Sequence, residues 1–299
     1  MAGSALRTPL LRLPLDGPAE IFLKLECLQP IGSFKLRGAG NAMALADPEA
    51  LARGVYTASA GNMAQGVAWN ARRLGIPCTV VVPEHAPETK LAAIERLGAR
   101  IVKVPFERWW QVLVEHRYPG IEGLFLHPVA DRAVIAGNGT IGLEILEDLP
   151  DADTVFVPYG GGGLSCGIAS AFRALRPAAR VFACEIVTAA PLAAALAAGR
   201  PVSTDYRPSF VDGIGARSVL AEMWPLAKAL LAGSVVVSLE ETAAAIRLLA
   251  ERARVVAEGA GAVPVAAARK MSGGKVVCVV SGGNIDPEKL SVLLSGRLP

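Results

Sequence analysis

The sequence predicts an α/β protein with parallel β-sheets. Short, uninterrupted apolar segments alternate with amphipathic helical segments along most of the 299 residues. Several of these apolar segments end directly at polar, glycine-rich segments. Strands without a polar face are typical of parallel sheets that helices cover on both sides.

In the first half of the chain this pattern predicts strands at residues 21–25, 55–58, 78–82 and 101–104. A helix is expected at residues 63–74, because Val67, Ala71 and Leu74 recur on one face and a glycine follows. Pro87 is expected to open the next helix, which a glycine at position 98 ends.

In the second half, a continuous apolar strand is predicted at residues 154–157, followed by a glycine run and a helix that ends at Leu175. Further strands are predicted at residues 181–184 and 276–280. A long helix is predicted at residues 239–257, where two acidic residues favour the N-terminal end of the helix dipole.

The composition and charge limit the classes of function that this chain could have. Apolar residues make up 52% of the chain, enough for a sizeable core. The net charge of +3 is too near balance to indicate a nucleic-acid or anionic-membrane partner. No apolar stretch reaches the ~20 residues that a membrane helix needs, and residues 1–8 lack the apolar region of a signal peptide.

The five cysteines are predicted to be buried, reduced thiols of a cytoplasmic protein. None of them forms a Cys-x-x-Cys pair, and most have apolar or small neighbours. They are Cys27, Cys78, Cys166, Cys184 and Cys278.

Three polar, glycine-rich segments each follow an apolar strand directly. These are residues 59–62, 160–163 and 281–284. Ligands of parallel α/β sheets bind at the carboxyl ends of the strands. One such segment would indicate only a turn, whereas three of them predict a shared pocket.

The run of Gly160, Gly161, Gly162 and Gly163 predicts a phosphate site. Consecutive glycines present backbone N–H groups without side-chain obstruction, and a helix N-terminus follows them. The run does not match the dinucleotide fingerprint closely, and the Lys-Ser/Thr pair of the phosphate loop is missing. A flexible turn is the alternative.

Lys35 lies within Gly-Ser-Phe-Lys-Leu-Arg-Gly at residues 32–38. A lysine amine condenses with an aldehyde to form a Schiff base. Together with a phosphate site, Lys35 therefore suggests an aldehyde cofactor that carries a phosphate. Taken singly, each residue has an ordinary alternative: Lys35 as a solvated surface lysine, Asn62 as a helix N-cap, and Ser281 as a strand-end cap.

Taken together, the segments resemble the fold-type II pyridoxal-phosphate enzymes, in the branch of threonine/serine dehydratases and serine racemases. Residues 26–39 are similar to the lysine segment of that branch, and residues 57–66 to its asparagine loop. His127-Pro128, residues 135–140, the glycine run and residues 281–284 follow in the order of the family. The resemblance extends over nearly the whole chain.

The resemblance implies the tryptophan-synthase-β-like architecture with two parallel-sheet domains. Residues 1–42 and 134–299 would form a large cofactor-binding domain and residues 43–133 a small domain, with pyridoxal 5'-phosphate in the cleft between them. It also implies a homodimer. Too few residues follow Asp286 to form the regulatory domain of long biosynthetic threonine dehydratases, so no allosteric effector is expected.

The resemblance also implies roles for the cofactor-binding residues. Lys35 would carry the cofactor as a Schiff base and would take the Cα proton of the substrate. Phe34 would pack against the pyridine ring, Asn62 would bond its 3-oxygen, and Ser281 would meet its nitrogen. The four glycines would bind the phosphate.

The substrate side and the metal site depart from relatives. The substrate carboxylate would be received by Ser59, Ala60, Gly61 and Asn62. Ala60 stands where racemases of the branch have serine, and Met63 where many relatives have histidine. Relatives with a divalent-metal site have carboxylates at the positions of Glu185 and Pro191. A proline cannot bind a cation through its side chain, so no metal is expected.

The implied activity is that of a dehydratase, or ammonia-lyase. It would eliminate water from a β-hydroxy-α-amino acid and give a 2-oxo acid and ammonia. Threonine, serine and bulkier analogues remain open as substrates. An amino-acid racemase acting on serine is the alternative, a β-replacement synthase fits the motifs less well, and a non-catalytic protein that binds pyridoxal phosphate is a further possibility.

Overall fold

The computed structural model describes residues 3–299 and divides into two compact units. The smaller unit contains Phe34–Asn138 together with the N-terminal residues as far as Leu6. The larger unit contains Arg7–Ser33 and Gly139–Pro299. A domain division at residues 42 and 133 stays a prediction.

The strands, in chain order, are β1 (Leu10–Arg12), β2 (Ala19–Lys24), β3 (Val55–Ala58), β4 (Cys78–Pro83), β5 (Arg100–Val104), β6 (Leu124–Phe125), β7 (Thr154–Pro158), β8 (Arg180–Ile186), β9 (Gly233–Val237) and β10 (Gly274–Val279). The helices are α1 (Lys35–Leu45), α2 (Pro48–Ala52), α3 (Asn62–Leu74), α4 (Glu88–Glu95), α5 (Phe106–Glu115), α6 (Arg132–Asp148), α7 (Gly163–Leu175), α8 (Pro191–Ala198), α9 (Trp224–Leu230), α10 (Leu239–Leu248), α11 (Gly259–Ala268) and α12 (Pro287–Leu294).

The smaller unit is built on a parallel sheet with the strand order β5-β4-β3-β6. All four residues of β3 are buried, which agrees with an apolar strand covered on both faces. Strands β3 and β6 are neighbours, so the segments that follow them, at Ser59 and His127, leave the same edge of the sheet.

The larger unit is built on a sheet with the strand order β1-β2-β10-β7-β8-β9. Strand β1 pairs with β2 in the antiparallel direction, and the other pairs are parallel. Strands β7 and β10 are neighbours, with Cys278 opposite Phe156. The glycine run and Ser281 therefore follow adjacent strands at the carboxyl edge of this sheet.

The predicted α/β fold with parallel sheets is confirmed, and the predicted strands all occur, with bounds that differ by a residue or two. The helix predicted at residues 239–257 is too long, because helical structure ends at Ala253. Helix α10 ends at Leu248, a π-helical turn covers Leu249–Ala253, and Arg254 is left-handed at φ 59°. The N–H of Val255 then bonds back to the carbonyl of Leu249 at 3.2 Å, which ends the helix.

Helix α6 occupies a stretch in which the sequence predicts no regular element. Its glycines disfavour a helix by intrinsic propensity, but each one lets atoms of a neighbouring segment approach the α6 backbone closely. A β-carbon at Gly137 would lie 2.6 Å from the carbonyl oxygen of Arg37, and one at Gly139 would lie 2.9 Å from that of Gly167. Tertiary packing thus selects glycine here against propensity.

Two further expectations concern the membrane and the thiols. Within residues 3–299, every helix is too short or too polar to cross a lipid bilayer. All five cysteines are free thiols; Cys27 is half-buried and the other four are buried.

Candidate active site

Lys35 is the first residue of α1, and Phe34 is its N-cap. The Lys35 Nζ atom lies 5.1 Å from the centre of the Phe34 ring, and it donates a hydrogen bond of 3.2 Å to the carbonyl oxygen of Pro128. Phe34 is buried, whereas Lys35 is half-buried. Lys35 is therefore held in a defined place and is not a freely solvated surface side chain.

Helix α3 packs closely against α1 beside Lys35. A β-carbon at Gly66 would lie 2.9 Å from the carbonyl carbon of Lys35, so glycine lets the two backbones approach. The buried Asn70 side chain donates to the carbonyl oxygens of Leu36 and Gly66, at 3.0 and 2.9 Å. Because Asn62 begins α3 one turn before Gly66, the structure brings Lys35 and Asn62 to neighbouring helix starts.

The segment from Ser59 to Asn62 leads into α3 without a side-chain cap. Its N-cap is Gly61, whose own N–H bonds to the Ser59 hydroxyl at 3.2 Å. A β-carbon at Gly61 would meet no atom within 4 Å, so space is open there. The positive end of the helix dipole attracts anions to a helix N-terminus. A carboxylate is chemically suited to this place.

In the larger unit, the glycine run connects β7 to α7. Gly162 is left-handed at φ 97° and is the N-cap of α7, again without a side-chain cap. A β-carbon there would lie 3.1 Å from the Tyr159 hydroxyl oxygen and 3.4 Å from the Met223 methyl carbon. Only glycine suits this conformation and space. Because the run contains no cationic side chain, its backbone N–H groups would be the donors to a phosphate.

Ser281 follows β10 and is 3% exposed. The segment after it is fixed to residues that precede Phe34: the N–H of Gly283 donates to the carbonyl of Gly32 at 2.9 Å, and Asn284 donates to the carbonyl of Ile31 at 2.8 Å. The segment at Ile31 and Gly32 is far from the Ser281 segment in sequence, and the two are thus joined by hydrogen bonds within the larger unit.

Two polar residues near these segments escaped sequence reasoning. Glu258 is 6% exposed, and its Oε1 atom would be 2.5 Å from a β-carbon at Gly282. No local pattern marks it, since it lies between small apolar residues. His127 is 5% exposed, and its His-Pro dipeptide carries the family resemblance without indicating a role.

Glu185 does not fit a divalent-metal site. Its carboxylate accepts hydrogen bonds of 2.8 Å from the backbone N–H groups of Leu192 and Ala193, and a further bond from the Ser234 hydroxyl. It is fully buried and serves the start of α8, whose first residue is Pro191. The Glu185 carboxylate is therefore hydrogen-bonded to the start of α8, and Pro191, at the second ligand position, has no side-chain ligand atom.

Each unit, taken by itself, contains groups that suit part of a phosphate-bearing aldehyde cofactor. The smaller unit contains an amine at Lys35, which an aldehyde requires, and an open helix start at Gly61 without a side-chain cap. The larger unit contains a helix start at Gly162 without side chains, which suits a phosphate, and a buried hydroxyl residue at Ser281. Gly162 and Ser281 follow adjacent strands.

Comparison with known proteins gives concordant matches. A family model described as pyridoxal-phosphate dependent enzyme matches residues 2–282. An L-threonine ammonia-lyase of Geobacter sulfurreducens is 43% identical over 284 residues, which cover 93% of this chain and 70% of that protein. Among solved structures, the processed form of threonine deaminase isoform 2 from Solanum lycopersicum matches with a TM-score of 0.89 at 32% identity, covering 98% of this chain and 88% of its own. Maize serine racemase matches with a TM-score of 0.88 at 32% identity, covering 97% of this chain and 92% of its own.

The match to the family model extends over nearly the whole chain, and the solved structures reproduce its fold over at least 97% of its length. The donors at Lys35 and Gly162 are chemically those that an aldehyde and a phosphate require. This chain belongs to the family of pyridoxal-phosphate dependent enzymes.

Proposed function

We propose that this enzyme is an ammonia-lyase that converts a β-hydroxy-α-amino acid into a 2-oxo acid and ammonia. The observation that carries the proposal is the 43% identity to an L-threonine ammonia-lyase over 93% of the chain. Threonine and serine are the first substrates to test, because they are the smallest amino acids with a β-hydroxyl group.

In this proposal Lys35 holds the cofactor through its amine, and its Nζ atom takes the Cα proton once the substrate amine has replaced it. Bound pyridoxal phosphate supplies an aldehyde carbon for amines and a sink for the electrons released at Cα. Phe34 packs on the ring, Asn62 donates to the ring's 3-oxygen, and Gly160, Gly161, Gly162 and Gly163 hold the phosphate. These roles fit the half-buried amine and the uncapped start of α7.

Ser281 is proposed to meet the ring nitrogen. A hydroxyl group is neutral and does not keep that nitrogen protonated as a carboxylate would, so the sink for electrons is weaker. A weak sink favours prompt departure of the β-hydroxyl over a long-lived carbanion. Ser281 thus favours elimination among the reactions that this family performs.

The substrate carboxylate is proposed to bind where α3 begins, at Ser59, Ala60, Gly61 and Asn62. The open space at Gly61 and the start of α3 without a side-chain cap support this placement. Elimination then removes the Cα proton and the β-hydroxyl as water. The enamine product takes up water after its tautomerisation, so the net products are a 2-oxo acid and ammonia.

A racemase is the second candidate, and the similarity to maize serine racemase is the observation that favours it. Inversion at Cα needs an acid on the face opposite Lys35, within hydrogen-bond reach of Cα. Ala60 has no acidic proton to supply at the position where racemases of this branch have serine. Elimination is therefore proposed as the main reaction.

The decisive experiment is a substrate panel assayed with saturating pyridoxal phosphate. The L- and D-forms of threonine, serine and a β-phenyl serine are each followed for 2-oxo acid, ammonia and inversion at Cα. We expect equal amounts of 2-oxo acid and ammonia from one enantiomer of at least one substrate. Interconversion of the serine enantiomers with little 2-oxo acid would contradict this proposal and would show that the enzyme is a racemase. Cofactor binding without any turnover would indicate a non-catalytic protein that binds pyridoxal phosphate.

We also propose a homodimer and a cytoplasmic location. The location is supported by the five free thiols, which persist as such in reducing compartments. Sedimentation equilibrium of the holoenzyme would give twice the chain mass of 31.0 kDa for a dimer. Fractionation of the source cells, with an antibody to this chain, would test the location.

A further inference from the structure

We propose that His127 positions the Lys35 amine by fixing the orientation of the peptide bond between Pro128 and Val129. This inference rests on the proposed role of Lys35 and assigns His127 a positioning role without contact to the reacting atoms. It follows from five hydrogen-bonding atoms of the smaller unit.

The first step concerns the imidazole. His127 Nδ1 accepts hydrogen bonds from the backbone N–H groups of Val129, at 3.1 Å, and Ala130, at 2.9 Å. A nitrogen that accepts carries no proton, so the ring is neutral with its proton on Nε2. Burial, followed by the nearby His116 and Lys35, lowers the pKa of His127 to about 4, which agrees with a neutral ring.

The second step concerns peptide geometry. In a trans peptide the C=O of one residue and the N–H of the next point in opposite directions within one plane. When His127 holds the N–H of Val129, it therefore aims the carbonyl oxygen of Pro128 away from the imidazole. That oxygen accepts the hydrogen bond of 3.2 Å from Lys35 Nζ.

The turn that contains these atoms is fixed on both sides. The Thr57 hydroxyl donates to the carbonyl of Leu126 at 2.8 Å, immediately before His127. The Asp131 carboxylate accepts from the N–H of Ala133 at 2.7 Å, where α6 begins. The imidazole packs against His116, with ring centres 4.6 Å apart, and edge-on to Phe125. The ring therefore has little freedom to release the peptide.

The consequence concerns the lone pair of the amine. A neutral lysine amine has two N–H bonds and one lone pair, and it abstracts a proton only along the lone pair. Holding one N–H on Pro128 restricts the directions open to that lone pair. A small misplacement of a catalytic group costs as much as about 10²-fold in rate, so removing the acceptor from His127 should reduce kcat more than it changes KM.

The test compares three variants. His127→Phe keeps an aromatic ring but removes the acceptor, His127→Asn keeps an acceptor near the place of Nδ1, and His85→Phe changes an exposed histidine as the control. We expect His127→Phe to lower kcat about 10- to 100-fold with little change in KM. His127→Asn should recover most of that loss, and His85→Phe should match the wild type.

Two readouts are independent of turnover. In the apoprotein, the pH dependence of Lys35 acylation, followed by mass spectrometry of its peptide, should shift in His127→Phe and return toward the wild type in His127→Asn. In the wild type, ¹⁵N NMR should show His127 protonated on Nε2 alone at neutral pH. These readouts stand even if no β-hydroxy amino acid is a substrate.

The inference is overturned if His127→Phe retains both the wild-type kcat and the wild-type Lys35 acylation profile. It is equally overturned if His127→Asn lowers kcat and shifts the Lys35 acylation profile as much as His127→Phe does. A hydrogen-bond acceptor at residue 127 would then not be enough to position the amine. If His127→Phe fails to fold, the NMR measurement decides: a proton on Nδ1 at neutral pH is incompatible with the two accepted bonds.

Discussion

Gly66 on α3 faces the backbone of Lys35, and a β-carbon there would lie 2.9 Å from the carbonyl carbon of Lys35. Neither backbone can move without shifting a helix, so Gly66→Ala should separate α1 from α3. We expect a loss of roughly 1–3 kcal/mol in unfolding free energy, together with weaker cofactor retention. Gly17→Ala is the control, since a β-carbon at that glycine meets nothing within 4 Å. Chemical denaturation and dialysis against buffer measure the two effects, and equal behaviour of the two variants would contradict the packing argument.

Lys35→Ala should lose the covalent link to the cofactor and nearly all turnover. General-base catalysis alone contributes roughly 10²–10⁴-fold, and the variant also lacks the amine that carries the aldehyde. The measurements are visible absorbance of the lysine-bound cofactor and steady-state kinetics. Lys103→Ala, at an exposed lysine paired with Glu88, is the matched control. Wild-type turnover in the Lys35 variant would refute the assignment.

Gly162→Ala should weaken binding of pyridoxal phosphate far more than binding of pyridoxal, which lacks the phosphate. The left-handed backbone costs a non-glycine residue roughly 1–2 kcal/mol, and the new methyl group would crowd the Tyr159 hydroxyl at 3.1 Å. Gly199→Ala imposes a similar left-handed strain at the end of α8, with open space around it, and controls for strain alone. Fluorescence titration gives both affinities. A parallel loss for both ligands would remove the glycine run from the phosphate site.

Ala60→Ser should raise racemisation relative to elimination. The wild-type methyl group has no proton to return to Cα, whereas a serine hydroxyl within reach has one. The ratio of D-serine to pyruvate formed from L-serine measures the change, with the unmodified enzyme as its own matched control. A ratio that stays constant while both activities persist would show that residue 60 does not face Cα.

Divalent cations should not act through Glu185, because its carboxylate is bound by the N–H groups of Leu192 and Ala193. We expect the same Tm and kcat in EDTA as in excess Mg²⁺ or Ca²⁺. Glu185→Gln should cost roughly 1–3 kcal/mol in stability, since buried donors lose their charged acceptor. The exposed Glu288→Gln serves as the control. A saturable rise of Tm with either cation, abolished by Glu185→Gln, would restore a metal site.

Local sequence patterns predicted the parts of the fold that local physics determines. Apolar strands such as β3 and β7 were recognisable because both faces are buried, and Ser59 and Ser281 were placed correctly at strand ends. Lys35 and the glycine run indicated a site because an amine can bind an aldehyde and consecutive glycines can bind a phosphate. The activity was predicted from the order of these segments along the chain, because that order resembles one family.

What the sequence did not predict depends on contacts between distant residues. The glycines of α6 disfavour a helix by intrinsic propensity, and the close approaches to Arg37 and Gly167 that require glycine are contacts between distant residues. The acceptor role of His127 requires the turn that places two N–H groups at one nitrogen. Glu185 caps a helix that starts several residues later and also binds Ser234 from another strand, and no local pattern shows that combination.

The strand order of the larger unit also constrains how the chain is made. Strand β2 pairs with β10, for example Ala19 with Gly274, and β10 alone connects β2 to β7. During synthesis, the hairpin of β1 and β2 therefore waits without its sheet partner until almost the whole chain has left the ribosome. The smaller unit is nearly continuous in sequence, so its parallel sheet can assemble first. Such long-range pairing slows folding and leaves a strand edge exposed meanwhile, so the N-terminal hairpin is the part of this sheet whose edge waits longest for its partner.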